Sequence, residues 1–151
     1  MTADAFSAYA HFISIFLAFA CLTAELILYR PSMPAEIVRR LRRIDAGYGL
    51  AAAAIIATGF LRLSYFGKGT DFYVHNGMFW VKMALVASIV LISTIPTAHF
   101  LRLPRKTASG TVTVEHQSYR RVRTAVWIEA ALLSLIPLFA ALAARGVGLP
   151  A

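Results

Sequence analysis

His11 is the residue with the clearest potential for chemistry, because it lies more than a turn inside a long apolar stretch. An imidazole in such surroundings needs its nitrogens occupied, either by a hydrogen-bond partner or by a metal or haem iron. Glu25 follows fourteen residues later in the same stretch. At 3.6 residues per turn the two fall on nearly one helical face, about 21 Å apart along the axis, with Ser14, Ala18 and Cys21 between them. Lys82 enters a later apolar stretch about one turn from its start, with Ser93 further along the same face, and Arg62 closes another stretch. Ionisable groups within apolar helices are costly and turn towards the protein interior, which makes them the functional shortlist. His11, Arg62 and Lys82 are expected to gather at one end, with Lys68, Tyr73, Asn76 and Trp80 near them. Glu25, Asp45 and Glu129 are expected at the other end, at the termini of their helices and among arginines.

Each of these residues also has a structural reading. The three acids would pair with Arg43, Arg121 or Arg123 and fix the helices together. Lys82 would extend its ammonium to the membrane surface, and Trp80 and Tyr73 would belong to an interfacial aromatic belt. His75 and His116 fall in loops, and His99 lies beside an interface. Cys21, the only cysteine, reads as a small buried hydrophobe; it excludes an intrachain disulfide and a cysteine-rich metal site.

The elements that must position these groups are four apolar stretches, over about residues 5–29, 44–61, 78–101 and 124–144 of a single domain, 1–151. Each is long enough to cross a bilayer. Of the 151 residues, 59% are hydrophobic and only 15% charged, against about a quarter charged in a soluble domain. Mean hydropathy is +0.68. The expected fold is therefore all-α, an integral membrane, up-down four-helix bundle with short connections. Gly49, Ala53 and Ala57 form a small-residue seam on the second stretch. Pro31 and Pro34 follow the first stretch, and the segment EIVRRLRR (36–43) reads as a basic amphipathic stretch at the membrane surface. A polar loop containing Ser109-Gly110 and TVTVE precedes the fourth stretch. No basic residue precedes the first stretch, so it is expected to remain as a helix rather than to be cleaved as a signal peptide.

Cations set the orientation. Arg30, Arg39, Arg40, Arg42 and Arg43 follow the first stretch, while Arg102, Arg105, Lys106, Arg120, Arg121 and Arg123 follow the third; only Arg62, Lys68 and Arg145 lie on the opposite side. The positive-inside rule places the arginine-rich loops in the cytoplasm and both termini outside. The net charge of +8 then reflects loops facing an anionic leaflet and not a nucleic-acid surface.

The order of motifs resembles a family of small bacterial four-helix membrane proteins of unknown function. The motifs are Asp45 leading to YGLAA from 48, TGFLR from 58, GKG-x2-FY-x2-N from 67, FWVK from 79, S-x2-PT from 93 and AARG from 143. More distantly, the plan is similar to HemJ-type protoporphyrinogen oxidases and to CopD-like membrane domains. His11 and Trp80-Val81-Lys82 match a histidine early in helix one and a Trp-x-Lys element opening helix three. Tyr119-Arg120 and Glu129 resemble a tyrosine-arginine pair and an acid in helix four, at longer spacing. This resemblance implies haem b, with His11 as axial ligand, and oxidation of a porphyrinogen or electron transfer. Arg62, Lys68 or Lys82 would then pair with propionates, and His75, Met78 or a second copy would offer any further ligand.

Three functions follow as expectations. The first is a haem-b redox protein of the bacterial inner membrane, with a porphyrin, quinone or other small-molecule partner, possible as a homodimer or homotrimer. The second is a small transporter or channel lined by His11 and Glu25; copper would be its solute on the CopD-like resemblance, although the methionines are scattered. The third is an assembly subunit without chemistry of its own.

Overall fold

The computed structural model describes residues 2–66, 70–104 and 110–148. Helix α1 (Thr2–Leu28) leads to strand β1 (Ser32–Pro34) and helix α2 (Ala35–Leu61), whose end continues into a π-helical turn over Arg62–Phe66. A short helix α3 (Thr70–Val74) precedes α4 (Gly77–Arg102), which is followed by strand β2 (Thr111–Thr113) and helix α5 (His116–Ala144). Four of the helices are long and apolar enough to cross a membrane. They pack as two hairpins, α1 on α2 and α4 on α5, and the hairpins meet through α1 with α5 and α2 with α4.

The two helices that leave the basic end are longer than the apolar stretches predict. Residues 36–43 do not form a separate surface segment but the first turns of α2. Neither glycine nor proline interrupts this segment, and its apolar side is spent on the core, with Val38 and Leu41 fully buried while Arg39, Arg40 and Arg43 remain exposed. Helix α5 likewise starts at His116 instead of near 124, with Val122 and Val126 facing inward. Asp45 is consequently about 15 Å and Glu129 about 20 Å inside its helix, not at its end.

The TVTVE run, expected as polar loop, pairs instead with the segment after α1. The strands are antiparallel, Ser32 opposite Thr113, Met33 opposite Val112 and Pro34 opposite Thr111. The inward members Met33 and Val112 are each 2% exposed, so alternation buries one face of the ladder. The Val114 N–H donates to the Pro31 carbonyl at 2.8 Å and the Ala35 N–H to that of Gly110 at 2.9 Å. Gly110, at φ +68°, takes the left-handed conformation that glycine tolerates best.

Tyr29 closes the basic end from inside. It is 2% exposed, shares a 2.8 Å hydrogen bond with His99 Nε2, and packs against the rings of Phe100 and Tyr119. Two arginines finish helices here. Arg42 donates to the carbonyls of Phe100, at 2.8 Å, Leu101 and Leu103, and Arg123 donates to Leu26 O at 3.2 Å. The last carbonyls of a helix lack intrahelical donors and carry partial negative charge, so a guanidinium suits them. At the far end Asn76 starts α4, accepting from Met78 N at 2.9 Å and donating to Ala143 O at 3.1 Å. The Gly77 N–H donates to Gly148 O at 3.0 Å, which ties the end of α5 to the start of α4.

Candidate functional site

One face of α1 carries Asp4, Ser7, His11 and Ser14 towards its neighbours and then becomes apolar at Ala18 and Leu22 before Glu25. Its polar half coincides with the sparsely packed end of the bundle: α1 buries no described residue before Ser14, and α2 none after Ala51.

Within that half, His11 Nδ1 lies 2.8 Å from Thr58 Oγ1. Thr58 donates its own proton to Ala54 O at 2.6 Å, leaving lone pairs for the ring. The proton of this hydrogen bond therefore belongs to His11 Nδ1, and the tautomer so fixed places a lone pair on Nε2. The Ile55 backbone also hydrogen-bonds to the ring, and no side chain holds Nε2 among the described residues. Arg62 and Lys82 lie near enough for their charges to act on the ring, while no hydrogen bond or ion pair joins either of them to His11 among the described residues. Arg62 is held 3.4 Å from Asp4, and the Lys82 ammonium stands 5.4 Å from the centre of the Phe79 ring. The Ser7 hydroxyl is buried and has no partner among the described residues.

The other polar residues expected at this end have different employment. Asn76 is wholly buried and occupied as the cap of α4. Trp80 is exposed and donates from Nε1 to Val74 O at 2.9 Å. Tyr73 packs between the rings of Phe72 and Phe79. Lys68 lies outside the described residues, as do Arg105, Lys106 and Ser109 on the basic side.

The three acids come together from three helices: Asp45 and Glu129 both act electrostatically on Glu25. Glu25 is 1% and Glu129 0% exposed, and Asp45 is 7% exposed. Asp45 accepts from Thr97 Oγ1 at 2.8 Å. Tyr48 faces Glu129 without closing a hydrogen bond of normal geometry, and all four oxygens of Glu25 and Glu129 lack partners among the described residues. The expected pairing with Arg43, Arg121 or Arg123 does not occur. Arg43 and Arg121 are exposed, and Arg123 is drawn to the end of α1 and to the Tyr119 hydroxyl, because helix-end carbonyls compete for the same guanidinium.

A family model described as "Predicted membrane protein (DUF2214)" matches residues 3–148. The chain belongs to the DUF2214 family. No curated protein and no solved structure matches it. The match spans all four long helices of this DUF2214 protein, and so includes both polar clusters. Thr58, Tyr48 and Thr97 are the site neighbours that sequence reasoning left without a role. Each lies within a recognised motif, and Tyr48 and Asp45 share a face of α2 by their three-residue spacing. That spacing was the available signal.

Proposed function

We propose that this DUF2214 protein is a haem-b-binding redox protein of the bacterial inner membrane, with His11 as an axial ligand. The observation that carries the reading is the hydrogen bond between His11 Nδ1 and Thr58, which puts the proton on Nδ1 and the ligating lone pair on Nε2. Histidines that bind metals characteristically have the other ring nitrogen fixed in this way. Among the described residues no group of three or more His, Cys, Asp or Glu could hold a metal ion. A lone imidazole suits an iron whose in-plane donors come from a macrocycle, whereas a bare copper route needs several soft or imidazole donors. The resemblance of His11 and Trp80-Val81-Lys82 to the HemJ-type pattern points the same way.

Within this reading His11 would hold the iron, and Thr58 holds the imidazole through Nδ1. Arg62, with donors beyond its contact to Asp4, and Lys82 provide positive charge for two propionates. The sparse packing of α1 and α2 at this end would leave room for the group between this chain and a second copy. Haem, when bound, supplies one-electron chemistry with a porphyrin, quinone or similar small molecule.

The test is spectroscopic. Detergent-purified protein is expected to show a Soret band and reducible α and β bands. His11→Ala should lose the haem and keep its helical circular dichroism, since insertion depends on hydropathy. Full haem retention in His11→Ala would overturn the ligand assignment. A parent protein that stays colourless after expression with ample haem would overturn the function.

A further inference from the structure

Ionised carboxylates without hydrogen bonds or a counter-charge are among the costliest groups to bury. Glu25 and Glu129 would both be in that position if ionised, for their oxygens are buried and meet no hydrogen-bond partner among the described residues. Helix α2 presents Asp45 and Tyr48, α5 presents Glu129 to Glu25, and α1 adds Cys21. The polar groups of α4 are engaged, Thr97 by Asp45 and His99 by Tyr29. Arg123 and Arg42 are committed to the carbonyl ends of α1 and α4. No cation is therefore paired with the two glutamates among the described residues, and the acids do not form a donor set for a metal. The ligand that neutralises such a pair without further room or partners is a proton.

We propose that Glu25 and Glu129 form a proton-binding site, neutral at physiological pH, with Asp45 as its connection to solvent. Asp45 suits the last role on two grounds. It is the least buried of the three acids, and the Thr97 hydroxyl stabilises its ionised form. A proton received by Asp45 passes inward to an ionised glutamate and leaves Asp45 ionised again, so charge and protons balance. Ionising one glutamate opposes ionisation of the other, so the pair releases its protons in separate steps. Tyr48, facing Glu129, offers a hydroxyl that can turn towards the carboxylate formed. The site lies about 21 Å from His11 along α1 and does not depend on haem.

Infrared spectroscopy of the purified protein tests this directly, on the parent and on His11→Ala alike. At neutral pH both should show a protonated-carboxyl C=O stretch that shifts in heavy water. Glu25→Gln and Glu129→Gln should each remove part of the band, and the double variant all of it. Asp45→Asn should keep the band and slow its deuterium shift. A parent spectrum without a protonated carboxyl at neutral pH would sink the proposal, and it needs no variant that might misfold. A band that survives in the double variant would do the same. Unchanged exchange in Asp45→Asn would overturn the solvent connection. Loss of haem with the band intact refutes only the separate reading of His11.

Discussion

Thr58 decides which nitrogen of His11 carries the proton, because its own hydrogen is already given to Ala54. Thr58→Val keeps the shape and removes the acceptor. On the haem reading, loss of such a supporting partner should weaken haem affinity about 10- to 100-fold, with Thr58→Ser restoring most of it; haem titration of the apoprotein measures both. At the other cluster, Glu25→Gln breaks no ion pair. Its thermal midpoint should stay close to the parent's, whereas Asp45→Ala strands the Thr97 hydroxyl and should cost about 1 kcal/mol. A large loss of stability in Glu25→Gln would show that an unseen cation is paired there. His11 and the acids were legible in the sequence because ionisable residues stand out within apolar stretches. Their partners were not, since a helical threonine ordinarily returns its hydroxyl to its own backbone and so gives no sign of a second role.

Helix ends were the harder features to read, because hydropathy marks where lipid contact stops and not where the helix does. The first turns of α2 and α5 are amphipathic, and their apolar sides, Val38, Leu41 and Val122, supply the buried end of the core. Arg42 illustrates the same difficulty. Its charge was legible as loop charge, but its use on three carbonyls at the end of α4 depends on packing between hairpins. Arg42→Ala should lower stability by about 2 kcal/mol, and Arg42→Lys should recover only part, for an ammonium lacks the planar fork that spans several acceptors. The β1–β2 pair makes a sharper prediction. Directly opposed residues of an antiparallel pair stand about 4.5–5.5 Å apart, within the reach of a disulfide at about 4.4–6.8 Å. In a Cys21→Ala background, cysteines at Ser32 and Thr113 should cross-link on oxidation. Ser32 with Thr111 should not, being diagonal at about 7–8 Å. Efficient cross-linking of the diagonal pair would mean that the register is different.

For the molecule as a whole, the four-helix layout was the most legible feature, since each stretch falls within the length that spans the hydrocarbon core. The charge distribution further predicts orientation. With Cys21→Ala as background, a cysteine at Asp71 should react with an impermeant maleimide added to intact cells, and one at Thr113 only after the membrane is opened. The reverse result would exchange the two faces.

The hydrogen bonds between helices also divide by location. At the basic end several join one hairpin to the other: Tyr29 with His99, Arg42 with Phe100, Asp45 with Thr97, Arg123 with Leu26, and the strand pair. At the far end three join helices of the same hairpin: His11 with Thr58, Arg62 with Asp4, and Asn76 with Ala143. This is the construction of a pair of tongs, riveted at one end, with the chain from α2 to α4 linking the tips. A swing of about 5° at the rivet moves tips roughly 30 Å away by about 2.6 Å, given the length of a twenty-residue helix. Such a movement keeps the hydrogen bonds within each arm and is bounded by the chain that links the tips, and His11 and Lys82 ride on opposite arms.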